Sequence, residues 1–130
     1  MEKLKDSSGN LCRVNEGESA LVVATLYDLS GDPLNKNAII TLTMDLRSAK
    51  TKETIRAESI RDANGGTLAE DGTLTLKLGP TDNVVPADSK DSIEVNQLVL
   101  TWTWTDPEAV TQTGRQEWEI DVVRNLRPSW

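Results

Sequence analysis

The stretch Val95-Asn-Gln-Leu-Val-Leu-Thr-Trp-Thr-Trp-Thr105 alternates apolar and polar side chains over most of its length. A period of two is typical of a β-strand with one buried face, because successive side chains of a strand point to opposite sides. The buried phase holds Leu98, Leu100, Trp102 and Trp104. The stretch therefore predicts a long strand whose two tryptophans belong to a hydrophobic core.

Three further segments alternate in the same way, namely Ala38–Leu46, Thr73–Leu78 and Gln116–Val123. Each predicts a half-buried antiparallel strand. In the last of them Trp118 falls in the apolar phase with Ile120 and Val122. In the first, we expect the inward side chains to be Ile40, Leu42, Met44 and Leu46.

Two segments follow a different pattern. Ser19–Tyr27 is fairly apolar in both phases, which predicts a central strand covered on both faces. Lys50–Ile60 is mixed and charged, which predicts a short edge strand whose lysines discourage unwanted pairing.

Turn sequences such as Asn64-Gly65-Gly66 and Glu70-Asp71-Gly72 separate these segments. With a short first strand near Cys12, they predict an all-β fold, an immunoglobulin-like antiparallel β-sandwich of about seven strands. We expect an N-terminal arm with that first strand over residues 1–14, the sandwich over 15–123, and a C-terminal arm over 124–130.

The last two long strands suggest a register. If their connection, Asp106 to Gly114, is a symmetric hairpin centred on Val110, Trp102 lies opposite Trp118. The two indoles would then form a cross-strand aromatic pair on the buried face. A bulge in the loop would destroy that pairing.

Composition and charge narrow the function classes. The net charge of −7 argues against nucleic acid as a partner, because such binding needs clustered Lys and Arg. No segment approaches the roughly 20 apolar residues of a membrane span, and the first residues lack the apolar core of a signal peptide. We therefore expect no nucleic-acid or membrane partner and a cytoplasmic site of synthesis. Cys12 is the single cysteine, so it cannot form an internal disulfide.

The sequence contains few of the residues and motifs that are typical of catalytic sites. The chain has no histidine, the commonest general base, and no Gly-rich phosphate loop. Asp106 and Glu108 resemble a carboxylate pair, but acidic loops are ordinarily solvated. We predict no enzymatic activity and no cofactor.

Two acidic segments could supply oxygen ligands to calcium. The segment from Asp62 to Gly66 begins like a calcium loop but has Thr73 where the last ligand should be a glutamate. The loop with Asp82, Asn83, Asp88 and Asp91 offers oxygen ligands, but we favour a polar loop that caps its own turns.

The five segments Gly17-Glu-Ser-Ala-Leu-Val-Val, Leu29-Ser-Gly-Asp-Pro-Leu, Gly72-Thr-Leu-Thr-Leu-Lys-Leu-Gly-Pro-Thr-Asp-Asn, Leu98-Val-Leu-Thr-Trp-Thr-Trp and Gly114-Arg-Gln-Glu-Trp-Glu-Ile-Asp-Val-Val-Arg-Asn-Leu follow one another along the chain. Their succession resembles small immunoglobulin-like structural proteins of tailed bacteriophages, including capsid decoration (cement) proteins and modules of necks, tails and baseplates. The likeness covers roughly residues 15–126.

The resemblance implies a virion protein, assembled in the host cytoplasm, that binds coat or other virion proteins in a homo-oligomer or multivalent array. Capsid decoration is the expected role, with a neck or tail adaptor or a baseplate module as the alternative. A carbohydrate-binding module is an alternative of another class, since exposed tryptophans stack on sugars. The expected partner-binding residues lie in the two arms: Leu4, Leu11, Arg124, Arg127, Pro128 and Trp130.

Overall fold

The computed structural model describes residues 2–3, 13–83 and 93–123. Nine strands form in them: β1 (Glu2–Lys3), β2 (Arg13–Asn15), β3 (Ala20–Thr25), β4 (Ile39–Ser48), β5 (Thr54–Ser59), β6 (Gly66–Leu68), β7 (Thr73–Leu78), β8 (Ile93–Thr105) and β9 (Thr111–Val123). One 3-10 turn, Lys36–Ala38, precedes β4. The all-β prediction is confirmed; β1 and β6, which were not expected, are only two and three residues long.

The strands form two sheets that pack as an immunoglobulin-like sandwich. The larger sheet has the order β1-β9-β8-β4-β5, with β2 also paired to β9, and the smaller has the order β3-β7-β6. All neighbours are antiparallel except β1 and β2, which run parallel to β9. β5 lies at an edge of the larger sheet, as the charged sequence of Lys50–Ile60 predicted.

One hydrophobic core lies between the sheets. Trp102, Trp104 and Trp118 are 4%, 3% and 7% exposed, so their predicted place in the core is confirmed. The indole Nε1 of Trp102 also donates a hydrogen bond to the carbonyl of Tyr27, 3.2 Å away. The polar end of this ring is therefore satisfied, as burial of a tryptophan requires.

β3 is an edge strand, so the prediction of a central strand was wrong. It pairs with β7 on one side, and no described strand pairs with its other side. Val22 and Ala24 are buried, while Leu21 and Val23 are each about half exposed. Apolar residues in both phases therefore reflect one buried face and one exposed apolar face.

The inward phase of β4 begins one residue earlier than predicted. A bulge between Ile39 and Thr41 shifts the register against β8, so Ile39 is buried and Ile40 is 51% exposed. A bulge adds one residue to one strand and turns every preceding side chain to the other face. The inward positions of Leu42, Met44 and Leu46 are confirmed.

The predicted pairing of Trp102 with Trp118 is also wrong. The hairpin is centred on Glu108, because residues predicted as loop, Thr111 to Gly114, belong to β9. Trp118 accordingly lies opposite Leu98, and Trp102 lies opposite Gly114. A Cβ atom on Gly114 would be 2.4 Å from Cε2 of Trp102, so the indole occupies the space that a side chain there would need.

Candidate functional site

The six residues predicted to contact a partner lie outside the described residues, so they stay predictions. They are Leu4, Leu11, Arg124, Arg127, Pro128 and Trp130. Two surfaces of the described sandwich have features of binding sites that the sequence did not reveal.

The first surface is the outward face of β3, which we call the β3 face and define by Leu21, Val23 and Thr25. Leu21 is 57% exposed and Val23 is 48% exposed. Their neighbours across the strand pair are Lys77 and Thr75 of β7. The face is therefore an apolar row on the outermost strand, flanked by a polar row on the next strand.

The edge of the larger sheet contrasts with β3. Arg56 and Glu58 of β5 form an ion pair there. Arg56 also donates to the carbonyl of Lys77 in the smaller sheet, 3.0 Å away. Charged side chains are one of the ways in which proteins prevent unwanted strand pairing at an edge. β5 has this protection. On β3, the side chains of the outward face include the aliphatic Leu21 and Val23 instead.

The polar loop after β7 is tied to the fold by its own side chains. The carboxylate of Asp82 accepts hydrogen bonds from the backbone amide of Gly79 at 2.7 Å and from Arg56 at 3.0 Å. The amide of Asn83 donates to the carbonyl of Glu18 at 2.7 Å. Asp82 therefore caps the turn that begins at Gly79, whereas Asn83 ties the loop to the connection between β2 and β3. Asp88 and Asp91 lie outside the described residues. Within residues 2–3, 13–83 and 93–123, no three His, Cys, Asp or Glu side chains cluster as a metal site would require.

The second surface is a pocket of about 520 Å³ at the end of the sandwich where β8 turns into β9. We call it the end pocket. The loop from β3 to β4 forms one wall and the β8–β9 turn forms the other. Its lining residues are Asp28, Leu29, Ser30, Pro33, Leu34, Asn35, Ala38, Trp104, Thr105, Asp106, Pro107 and Gln112.

Two carboxylates line the end pocket, and both also hold the loops that form it. Asp28 accepts from the backbone amides of Ser30 and Asp32 at 2.9 and 3.0 Å. Asp106 accepts from the amides of Val110 and Glu108, both at 2.9 Å, and from the side chain of Gln112 at 3.1 Å.

Hydrogen bonding explains the acidity of Asp106. The backbone amide of Val110 first, then the Gln112 side chain and the Glu108 amide, hold the pKa of this carboxyl below its usual value of 3.8. A general acid at neutral pH needs a raised pKa instead, so the geometry does not favour the carboxylate-pair chemistry considered for Asp106 and Glu108.

The described tryptophans offer no exposed ring face for a sugar, because all three are buried. The one described helix, Lys36–Ala38, is a three-residue turn, so no helix in this part of the chain could cross a membrane.

Comparisons with known proteins identify no family for this chain. No family model matches the chain, and no curated protein matches it. Among solved structures, it is similar to MtrC from Shewanella baltica OS185 at 13% sequence identity and a TM-score of 0.47. The match covers 89% of this chain but 23% of MtrC, so the chain spans about a quarter of that protein's length. At this level of identity the similarity supports no statement about family or function.

Proposed function

We propose that this chain is a protein-binding structural domain without enzymatic activity, and that it attaches to its partner through the β3 face. The observation that carries the proposal is the combination of an edge strand and exposed aliphatic side chains, Leu21 and Val23. An edge strand presents unpaired backbone amides and carbonyls, which bind an added strand. Exposed apolar side chains on such a strand add affinity when the partner covers them.

The size of the face suits repeated attachment. Full burial of an exposed Leu or Val stabilises a complex by about 1.5–3 kcal/mol. Because Leu21 and Val23 are each about half exposed, covering both supplies only about 1.5–3 kcal/mol. One such contact with a few backbone hydrogen bonds gives weak binding, whereas many copies on a symmetric surface raise the effective affinity.

We further propose that the symmetric surface is the shell of a tailed bacteriophage, with the chain as a capsid decoration protein. This step is supported by the resemblance over residues 15–126. The partner would be the coat protein and the location the virion. A neck or tail adaptor, or a baseplate module, is the alternative within the same class.

The binding face is tested by substituting Leu21→Lys together with Val23→Lys. Both side chains point to solvent, so the fold should tolerate the change, while binding to purified capsids should fall at least tenfold because two charges would have to be desolvated. The matched control is Ile40→Lys, which alters an aliphatic side chain of similar exposure on β4. Equal capsid binding by the double variant and the wild type in a co-sedimentation assay would refute the β3 face as the attachment site.

The virion role is tested by purifying the phage particles whose genome encodes this chain. Quantitative peptide mass spectrometry then measures the number of copies of the chain per particle. A number near that of the coat protein supports decoration. About 6 or 12 copies per particle would instead indicate a ring of an adaptor. Absence from particles would overturn the phage proposal, and binding in a glycan panel would favour the carbohydrate-binding alternative.

A further inference from the structure

The end pocket has a distinct chemical character. Its charged lining residues are Asp28 and Asp106, and no Lys or Arg is among the lining residues. Apolar groups lie beside these carboxylates, including Pro33, Pro107 and Leu29, which is 78% exposed. Such a site is complementary to a peptide that carries guanidinium groups next to proline or aromatic side chains.

The chain itself contains a peptide of this composition. Residues 124–130 read Arg-Asn-Leu-Arg-Pro-Ser-Trp, with two arginines, a proline and a tryptophan and no acidic residue. This segment follows Val123, the last residue of β9. Its charge is opposite to that of the end pocket and to the net charge of −7 of the whole chain.

Distance prevents the segment from reaching the end pocket of its own molecule. The pocket lies beside the first residues of β9, and the segment begins after the last of its 13 residues. At about 3.3 Å per residue the two points are roughly 40 Å apart. Seven extended residues span at most roughly 25 Å. A segment from another molecule has no such restriction.

We propose that the end pocket binds residues 124–130 of a second copy of this chain. Arg124 and Arg127 pair with Asp28 and Asp106, and Pro128 and Trp130 pack on Pro33, Pro107 and Leu29. The contact joins one end of a molecule to the opposite end of the next, which is a head-to-tail arrangement that forms closed rings or open filaments. This inference goes beyond the proposed function, since self-association needs neither a capsid nor the β3 face.

The experiment uses two complementary full-length variants and sedimentation velocity. The pocket variant carries Leu29→Lys and Ser30→Lys, two exposed positions at which added cations repel the arginines. The segment variant carries Arg124→Glu and Arg127→Glu. The wild type should self-associate in a concentration-dependent manner, and each variant alone should raise the dissociation constant at least about tenfold, which corresponds to ~1.4 kcal/mol. Added salt should weaken association of the wild type.

A mixture of the two variants separates this arrangement from other modes of association. The segment variant keeps an intact pocket and the pocket variant keeps an intact segment, so the mixture should form a one-to-one dimer that grows no further. The control Thr43→Lys with Ala57→Lys adds the same two charges at exposed positions of β4 and β5, outside both the end pocket and the β3 face, and should associate like the wild type. A monomeric wild type, unchanged association in both variants, or a mixture that stays monomeric would each overturn the proposal. If only the capsid-binding experiment fails, the β3 face is refuted and the end pocket is not.

Discussion

At the scale of single residues, Gly114 has a steric role that its place in a regular strand conceals. The ring of Trp102 lies where its side chain would be, with Cε2 and Nε1 at 2.4 and 2.6 Å from an ideal Cβ position. The Nε1 atom of the same ring is also held by its hydrogen bond to the carbonyl of Tyr27. Because an indole held in this way cannot move aside cheaply, the position tolerates only glycine without rearrangement.

We therefore expect Gly114→Ala to lower the free energy of unfolding by about 1–3 kcal/mol, as overpacking of a core does. The neighbouring Thr113 is exposed, and Thr113→Ala should change stability by less than about 1 kcal/mol. Urea denaturation followed by tryptophan fluorescence measures both. A Gly114→Ala protein as stable as the wild type would show that Trp102 does not lie against this residue.

Three aspartates predict how stability responds to acid. Backbone amides of Leu68, Thr73 and Val110 hold the pKa values of Asp62, Asp71 and Asp106, respectively, below the usual 3.8. A carboxyl whose pKa is lower in the folded than in the unfolded state stabilises the fold above its unfolded-state pKa. That stabilisation is lost as the pH falls through the folded-state pKa, which here lies below 3.8.

The free energy of unfolding should accordingly decrease as the pH is lowered past about 4, the unfolded-state value for Asp. Asp106→Asn removes one of the three titrating groups, so stability of this variant should fall less steeply in the same range. Urea titrations at a series of pH values from neutral to below 3.8 measure the slopes. Identical slopes for the variant and the wild type would contradict the assigned role of Asp106.

At the scale of elements, Arg56 connects the two sheets along one side of the sandwich. It projects from β5, pairs with Asp82 at 3.0 Å and donates to the carbonyls of Lys77 and Asn64. The side chains of Arg56 and Asp82 are only 16% and 10% exposed. Removing one partner of such a pair leaves the other charge poorly solvated.

Arg56→Ala should therefore reduce the free energy of unfolding by about 2–4 kcal/mol. Arg56→Lys should recover part of the loss, because lysine keeps the charge but cannot reach several acceptors at once. The control is Arg115→Ala, which removes a pair with Glu117 whose arginine is 62% exposed and should cost less than about 1 kcal/mol. Equal losses for Arg56→Ala and Arg115→Ala would argue against the bridge.

The elements also show what alternation in a sequence can and cannot predict. It located β4, β7, β8 and β9 and the buried tryptophans, because one-sided burial imposes a period of two. It could not distinguish a strand covered on both faces from an edge strand with an exposed apolar face, so β3 was placed wrongly. It also could not detect the bulge at Ile40 or the true centre of the β8–β9 turn. Both depend on pairing partners that are distant in sequence or on the conformation of a few turn residues.

At the scale of the whole molecule, neither the β3 face nor the end pocket could be predicted from the sequence. The end pocket exists because the β3–β4 loop and the β8–β9 turn meet at one end of the sandwich, although they are about 70 residues apart. The β3 face depends on the order of strands in the smaller sheet. The composition did indicate that residues typical of catalytic sites are scarce, since the chain has no histidine. The charge pattern identified the basic segment 124–130, for which the end pocket is the proposed binding site.

The two sheets should differ in their protection against hydrogen exchange. β8 lies between β9 and β4 and is paired along both sides, so its amides should exchange slowest. β3 is paired along one side only, so about half of its amides should exchange rapidly. Hydrogen exchange followed by mass spectrometry measures this difference, and uniformly slow exchange in β3 would indicate that another segment covers its edge.

The parallel pairing of β2 with β9 has a mechanical consequence. Arg13, Val14 and Asn15 lie beside Asp121, Val122 and Val123, and Glu16 adds a hydrogen bond of 2.8 Å to the carbonyl of Val123. A tensile force applied between the chain before β2 and the chain after β9 pulls these two strands past each other. Their hydrogen bonds are then loaded together in shear and must rupture almost simultaneously, whereas antiparallel neighbours pulled at one end would unzip one bond at a time. If the domain is anchored through both arms, the hydrogen bonds between β2 and β9 would therefore be the part of the fold that resists stretching.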